Sequence, residues 1–193
     1  GITDVVATFE LRSLEGDLIK KIKINMDKES AYAVRISEYL SNNFVGSIYV
    51  FFKSNDNLAV PFCAVVCSIK SSNSVCGVHA YGRRLEQKEL GSNLDIQNTI
   101  ETGWTVRDTN LVKSFTVLHG GEFKLKLSIR VEVVNSREES ISINKEFTLN
   151  PFGTLLLILQ DLSDELIQHL EGQKGHAKIF IEGLRGIFPR MLC

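Results

Sequence analysis

Glu122-Phe123-Lys124-Leu125-Lys126-Leu127-Ser128-Ile129-Arg130-Val131-Glu132-Val133-Val134 is the stretch on which the fold turns. Phe123, Leu125, Leu127, Ile129, Val131 and Val133 share one parity, and Glu122, Lys124, Lys126, Ser128, Arg130 and Glu132 share the other. Successive strand side chains point to opposite faces, so this spacing predicts a long strand with one buried and one wet face. A helix would scatter the same apolar set around its circumference. Such alternation belongs to two-faced antiparallel sheets, and the buried face needs a second layer drawn from elsewhere in the chain.

Before this strand, Ser114 to Leu118 reads as a short strand and His119-Gly120-Gly121 as a turn. After it, the polar loop Asn135 to Ser140 leads into Ile141 to Leu149. There Ile141, Ile143, Phe147 and Leu149 share a parity, which predicts a hairpin partner. Asn150-Pro151-Phe152-Gly153 breaks the pattern, and Thr154 to Leu159 is apolar throughout. Ser163 opens a helix with Leu166, Ile167 and Leu170 inward. Leu162 and Ile167 suit a hydrophobic staple, and Gly172 suits a C-terminal stop. Ala177 to Glu182 is the last strand.

Nearer the N-terminus, Val5 to Leu14 and Leu18 to Asn25 read as two strands around the turn Glu15-Gly16-Asp17. Ser30 as N-cap, with the stripe Ala33, Ile36, Tyr39 and Leu40, predicts a helix ended by Ser41-Asn42-Asn43. Gly46 to Lys53 is too apolar for a wet face and reads as a strand covered on both sides. Leu58 to Ile69 is a second apolar run, with Pro61 marking an edge or bulge. Residues 70 to 112 read as a long loop anchored sparsely by Val75, Val78 and Tyr81, with a short helix over Asn93 to Thr99. Trp104 reads as a packing anchor. About nine strand-like runs, with no repeat and no linker, predict one domain over residues 1–193.

The 193 residues are 44% hydrophobic and 23% charged, enough apolar surface for a core. A net charge of -1 argues against a dedicated nucleic-acid domain with a broad basic surface, while leaving room for local phosphate contacts. No apolar run approaches the roughly 20 residues of a membrane span, so no membrane partner is expected. The chain starts at Gly1, read either as an expression scar or as release from a longer precursor. Cys63 and Cys67 are four apart in a strand-like run, about 13 Å between Cα atoms and too far for a disulfide. Both read as small buried hydrophobes, which fits a reducing compartment.

Chemistry is sparse. Cys76 and His79 are three apart, but a nucleophile needs an orienting third group, and a zinc site needs a second pair. Gly120-Gly121 precedes a strand rather than a helix, so it makes no phosphate cradle. Asp161, Asp164 and Glu165 crowd a helix start, where the helix dipole accounts for them. Arg83, Arg84, Arg185 and Arg190 are candidate RNA or phosphate contacts, with a solvated surface as the plainer account. No catalytic residue, cofactor or metal site is expected.

The order strand, strand, helix, then Phe44-Val45-Gly46-Ser47-Ile48-Tyr49-Val50-Phe51-Phe52, then Leu58-Ala59-Val60-Pro61, resembles the jelly-roll capsid proteins of picorna-like viruses. There a helix ends in an aromatic-X-Gly-Ser-aliphatic turn that opens the fourth strand. The small coat proteins of plant picorna-like viruses, the comovirus group and its relatives, are most similar; the match is best over residues 5 to 70. The resemblance implies an all-β fold, an antiparallel eight-stranded jelly-roll β-sandwich with two or three short helices. Either Ile141 to Leu149 or Ala177 to Glu182 would be its last strand. It implies a coat protein that assembles with other capsid subunits into an icosahedral virion. Genomic RNA would be contacted weakly or indirectly, and the chain would pass through the host cytoplasm before assembly. Tyr81 and Trp104 are the candidate subunit-interface anchors. The alternative is a β-sandwich module that binds a protein or glycan without catalysis.

Overall fold

A computed structural model of the chain describes residues 3–40, 44–56, 60, 65–70, 75–80, 97–107, 109 and 112–184. Its contacts divide the chain into two compact units, Gly1–Tyr81 and Gly82–Cys193. The described residues are mostly strand, and every sheet is antiparallel.

The first unit begins with β1 (Val5–Arg12), β2 (Leu18–Met26) and β3 (Ser47–Ser54), in which β1 lies between the other two. Val5, Ala7 and Leu11 of β1 and Ile22 of β2 are buried, so the odd parity of β1 carries the core. β3 departs from the doubly covered strand expected of it. Ile48 and Lys53 are exposed and Tyr49 to Phe52 are half-buried, because β3 is a sheet edge. The Gly46 of the Phe44-Val45-Gly46-Ser47 turn has a local cause. A Cβ there would come within 2.0 Å of the Arg12 carbonyl oxygen and 2.7 Å of the Phe44 ring, so only glycine lets the chain enter β3 at this spacing.

The helix expected from Ser30 does not form. Between β2 and β3 the described residues hold one 3-10 turn, Ile36–Glu38. The Ser30 hydroxyl donates to the Asp27 carbonyl instead of capping a helix, and Ala33 and Tyr39 are exposed. With much of its stripe in solvent, a helix this short lacks the packing that would sustain it. β4 (Val65–Lys70) and β5 (Val75–Ala80) complete the unit as a hairpin, with Val65 opposite Ala80 and Lys70 opposite Val75.

The second unit contains β6 (Gln97–Arg107), β7 (Phe115–His119), β8 (Leu125–Val134), β9 (Ser140–Leu149), β10 (Thr154–Ile158), α1 (Leu159–Leu162), α2 (Asp164–Leu170) and β11 (Lys174–Leu184). Residues 70 to 112 are therefore not one long loop, since they include β5 and the whole of β6. The helix expected at Asn93 to Thr99 is also corrected: Gln97 to Thr99 belong to β6, and residues 93–96 lie outside the described residues. The cause is a bulge. Ala177 faces Trp104 but Ile179 faces Glu101, so β6 carries one extra residue and one parity of its sequence changes sheet face midway.

Four strands form a sheet in the order β6-β11-β8-β9, and β7 pairs with β10. Leu125, Leu127, Ile129, Val131 and Val133 are all buried, the alternation expected of this stretch. Leu149, Phe147, Ile143 and Ile141 oppose them on β9, and Ile179 and Ile181 on β11. Leu118, Leu157, Leu159, Leu162, Leu166 and Leu170 share the same core. The sheet is thus one layer, and the β7–β10 ribbon with its two helices is the other. Ser163 caps α2 as expected, its hydroxyl accepting from the Glu165 N–H at 3.1 Å.

Candidate functional site

The even-numbered face of β1 turns away from Val5, Ala7 and Leu11. The register sets Val6 between Asn25 and Lys53, Thr8 between Lys23 and Phe51, and Glu10 between Lys21 and Tyr49. Directly opposed residues share a sheet face, so cations from β2 and aromatics from β3 flank the central strand. Glu10 accepts from Arg12 at 2.6 Å and from Lys21 at 2.9 Å. Burial alone would raise its pKa, but the hydrogen bonds from Lys21 and Arg12 hold the Glu10 carboxyl below the usual range. The Arg12 guanidinium also donates to the Gly16 carbonyl at 2.9 Å and lies 5.9 Å from the Tyr49 ring centre. The Tyr49 and Phe51 rings lie 6.4 Å apart and nearly parallel, at 14°.

Lys23 and Lys53 differ from Lys21, because neither is in an ion pair with a described carboxylate. They flank an open groove of about 430 Å³ that is also lined by Val6, Thr8, Ser54 and Asn55. Asp4 stands beyond Val6, its carboxylate accepting the Lys28 N–H at 2.8 Å. Chemically, this face offers two ammonium groups with no ion-pair partner among the described residues, a charge-compensated carboxylate and two half-buried rings.

The hairpin β4–β5 is a second unusual surface. Val66 is 65% exposed, Ile69 61% and Val75 68%. Cys67 is unpaired and exposed, which corrects its assignment as a buried hydrophobe while bearing out its free thiol. Cys63 lies outside the described residues.

Of the residues singled out from the sequence, Tyr81, Arg83, Arg84, Arg185 and Arg190 also lie outside the described residues. Trp104 lies on β6 at 4% exposure, inside the core of the second unit, so its indole packs within this chain. Cys76 and His79 fall on β5, in register with Ile69 and Val66. Among the described residues, no three His, Cys, Asp or Glu side chains group as metal ligands would. No helix among them is long and apolar enough to cross a membrane. In the second unit, His119 Nδ1 lies 3.0 Å from Thr154 Oγ1, and burial pushes its pKa down.

The basic and aromatic face of β2-β1-β3 escaped the sequence reading. Its signal was there in part, in Lys21 and Lys23 on one parity of β2 and Tyr49, Phe51 and Lys53 on one parity of β3. What joins the two sets is pairing through β1, which local periodicity does not carry. Compared with family models, curated proteins and solved structures, the chain matches none.

Proposed function

We propose that this chain is a structural coat protein subunit that assembles with other coat proteins into an icosahedral virion enclosing RNA. The observation that carries the reading is the hairpin β4–β5. Its register places Val66 and Val75 on one face and Ile69 on the other, and all three are largely exposed. A two-stranded hairpin is marginal in water by itself, and apolar side chains on both of its faces call for a covering neighbour. A shell supplies one for every copy.

Two further features support the reading. A jelly roll joins two antiparallel sheets, and β6-β11-β8-β9 is a four-stranded antiparallel sheet of non-sequential order. In this proposal an eight-stranded jelly roll is the core of the fold and the remaining strands are additions to it. The resemblance of residues 5 to 70 to small plant-virus coat proteins points the same way, with Gly46 fixed by a close approach of the backbone.

The test is particle formation. The chain is expressed with the coat proteins encoded beside it and examined by sedimentation and electron microscopy. Closed shells that are lost on Val66→Lys and Ile69→Lys, with the circular dichroism of the free chain unchanged, are expected. A monodisperse monomer or dimer under all assembly conditions overturns the reading and favours a β-sandwich binding module.

A further inference from the structure

We infer that the even-numbered face of the β2-β1-β3 sheet is a binding site for the phosphodiester backbone of single-stranded RNA, centred on the groove between Lys23 and Lys53. The inference rests on the coat-protein reading for its biological setting, but not for its geometry. Arg12, Lys21, Lys23 and Lys53 stand on this face with Glu10, which Arg12 and Lys21 already neutralise, and with Asp4 at its end. Lys23 and Lys53, one on each side of β1, are in no ion pair with a described carboxylate.

The two lysines are not directly opposed. Lys23 is level with Thr8 and Lys53 with Val6, one side-chain step further along the face. Strands lie about 4.8 Å apart and same-face residues about 6.7 Å apart, so the two Cα atoms are separated by roughly 12 Å. Long, flexible ammonium stems reach inward from that separation over the low floor of Val6 and Thr8. A groove of about 430 Å³, flanked by two lysines with no described carboxylate partner and edged by the exposed Asn55, fits a phosphate chain lying along it.

Phe51 lies on the same row as Thr8 and Lys23, and Tyr49 on the next. Their rings are nearly parallel and half-buried. Single-stranded nucleic acid is held by just this pairing, cations for the backbone and aromatic faces for bases. An acidic peptide would use the lysines but would gain nothing from the rings, and a duplex has no unstacked base to offer them. Asp4, beyond Val6, sets the end of the site, since a phosphate there would meet a carboxylate.

The test is fluorescence anisotropy of a labelled oligouridylate with the purified full chain, repeated over a series of salt concentrations. Each phosphate contact on a single strand adds about 0.7 to the slope of log affinity against log salt, so Lys23→Ala with Lys53→Ala should flatten the slope by about 1.4. Phe51→Ala should weaken binding by about 5- to 150-fold at every salt and leave the slope alone, and Phe51→Tyr should restore it. Lys145→Ala and Lys178→Ala, on the other unit, should change nothing. An unchanged slope in the double lysine variant overturns the site. A flattened slope with no effect of Phe51→Ala, and equal competition by polyglutamate, overturns the RNA assignment in favour of an acidic peptide. Shell formation by the double variant is scored separately: shells with unaltered RNA binding sink this inference alone, whereas absence of shells from the unaltered chain sinks the coat-protein reading alone.

Discussion

Leu127→Ala is the substitution that most sharply separates the two faces of β8. Leu127 is fully buried and sits opposite Phe147, with Leu125 and Ile129 flanking it on the same face. Truncation removes three carbon groups, about 2.4 kcal/mol of transfer free energy at roughly 0.8 kcal/mol each. It also leaves a cavity among side chains of a sheet and a ribbon that cannot close up freely, which lifts the expected loss to about 3–4 kcal/mol, within the 2–5 kcal/mol range for such changes. Lys126, the next residue, points to the wet face, and Lys126→Ala should stay within about 0.5 kcal/mol of the parent. Thermal unfolding followed by circular dichroism reads both. A loss of this size corresponds to about 6–16 °C for a chain of this length. Equal shifts from the two substitutions would refute the register and the layer arrangement built on it.

Cys67 should be alkylated by iodoacetamide in the folded chain within minutes, and mass spectrometry finding it unlabelled would mean the hairpin is covered. His119 has a depressed pKa in the folded state, so the unfolded chain binds more protons below neutrality. Its contribution to stability is full above the unfolded value near 6.5 and is lost as pH falls toward the folded value. Relative to the parent, His119→Gln should flatten the dependence of unfolding free energy on pH over that window, and identical pH profiles would show that the imidazole is solvated. Gly183 has φ of +87°, and a Cβ there would lie 2.2 Å from the Lys126 carbonyl oxygen. Gly183→Ala should therefore cost at least about 1–3 kcal/mol by urea denaturation, and a neutral result would place β11 differently against β8.

Strands with regular alternation were legible without coordinates. β1, β2, β8, β9 and β11 each carry a period of two that one buried face imposes, and α2 carries its cap, its inward leucines and its stop within ten residues. What escaped depends on partners distant in sequence. β6 reads as loop because its bulge reverses the parity of its side chains, and the correct pattern emerges only beside β11. The Ser30 helix failed for the opposite reason: its local signals were right, but much of its stripe stayed in solvent. On β9, Lys145 is a charge set in an apolar series. It stands on the core-facing parity of β9, between Ile143 and Phe147, yet remains exposed because β9 is a sheet edge. A charge at such a place deters edge-to-edge pairing. The sheet face of Lys23 and Lys53 went unseen because its halves lie about thirty residues apart in the chain and meet only across β1.

Hydrogen exchange over β4 and β5, measured on the free chain and on assembled particles, tests the coat-protein account most directly. A marginal hairpin with exposed valine and isoleucine should exchange quickly in the free chain and become strongly protected when a neighbouring subunit covers it. Equal protection of residues 65–70 and 75–80 in the two states would contradict the account, because the hairpin would then support itself and its apolar surface would have no neighbour to explain it.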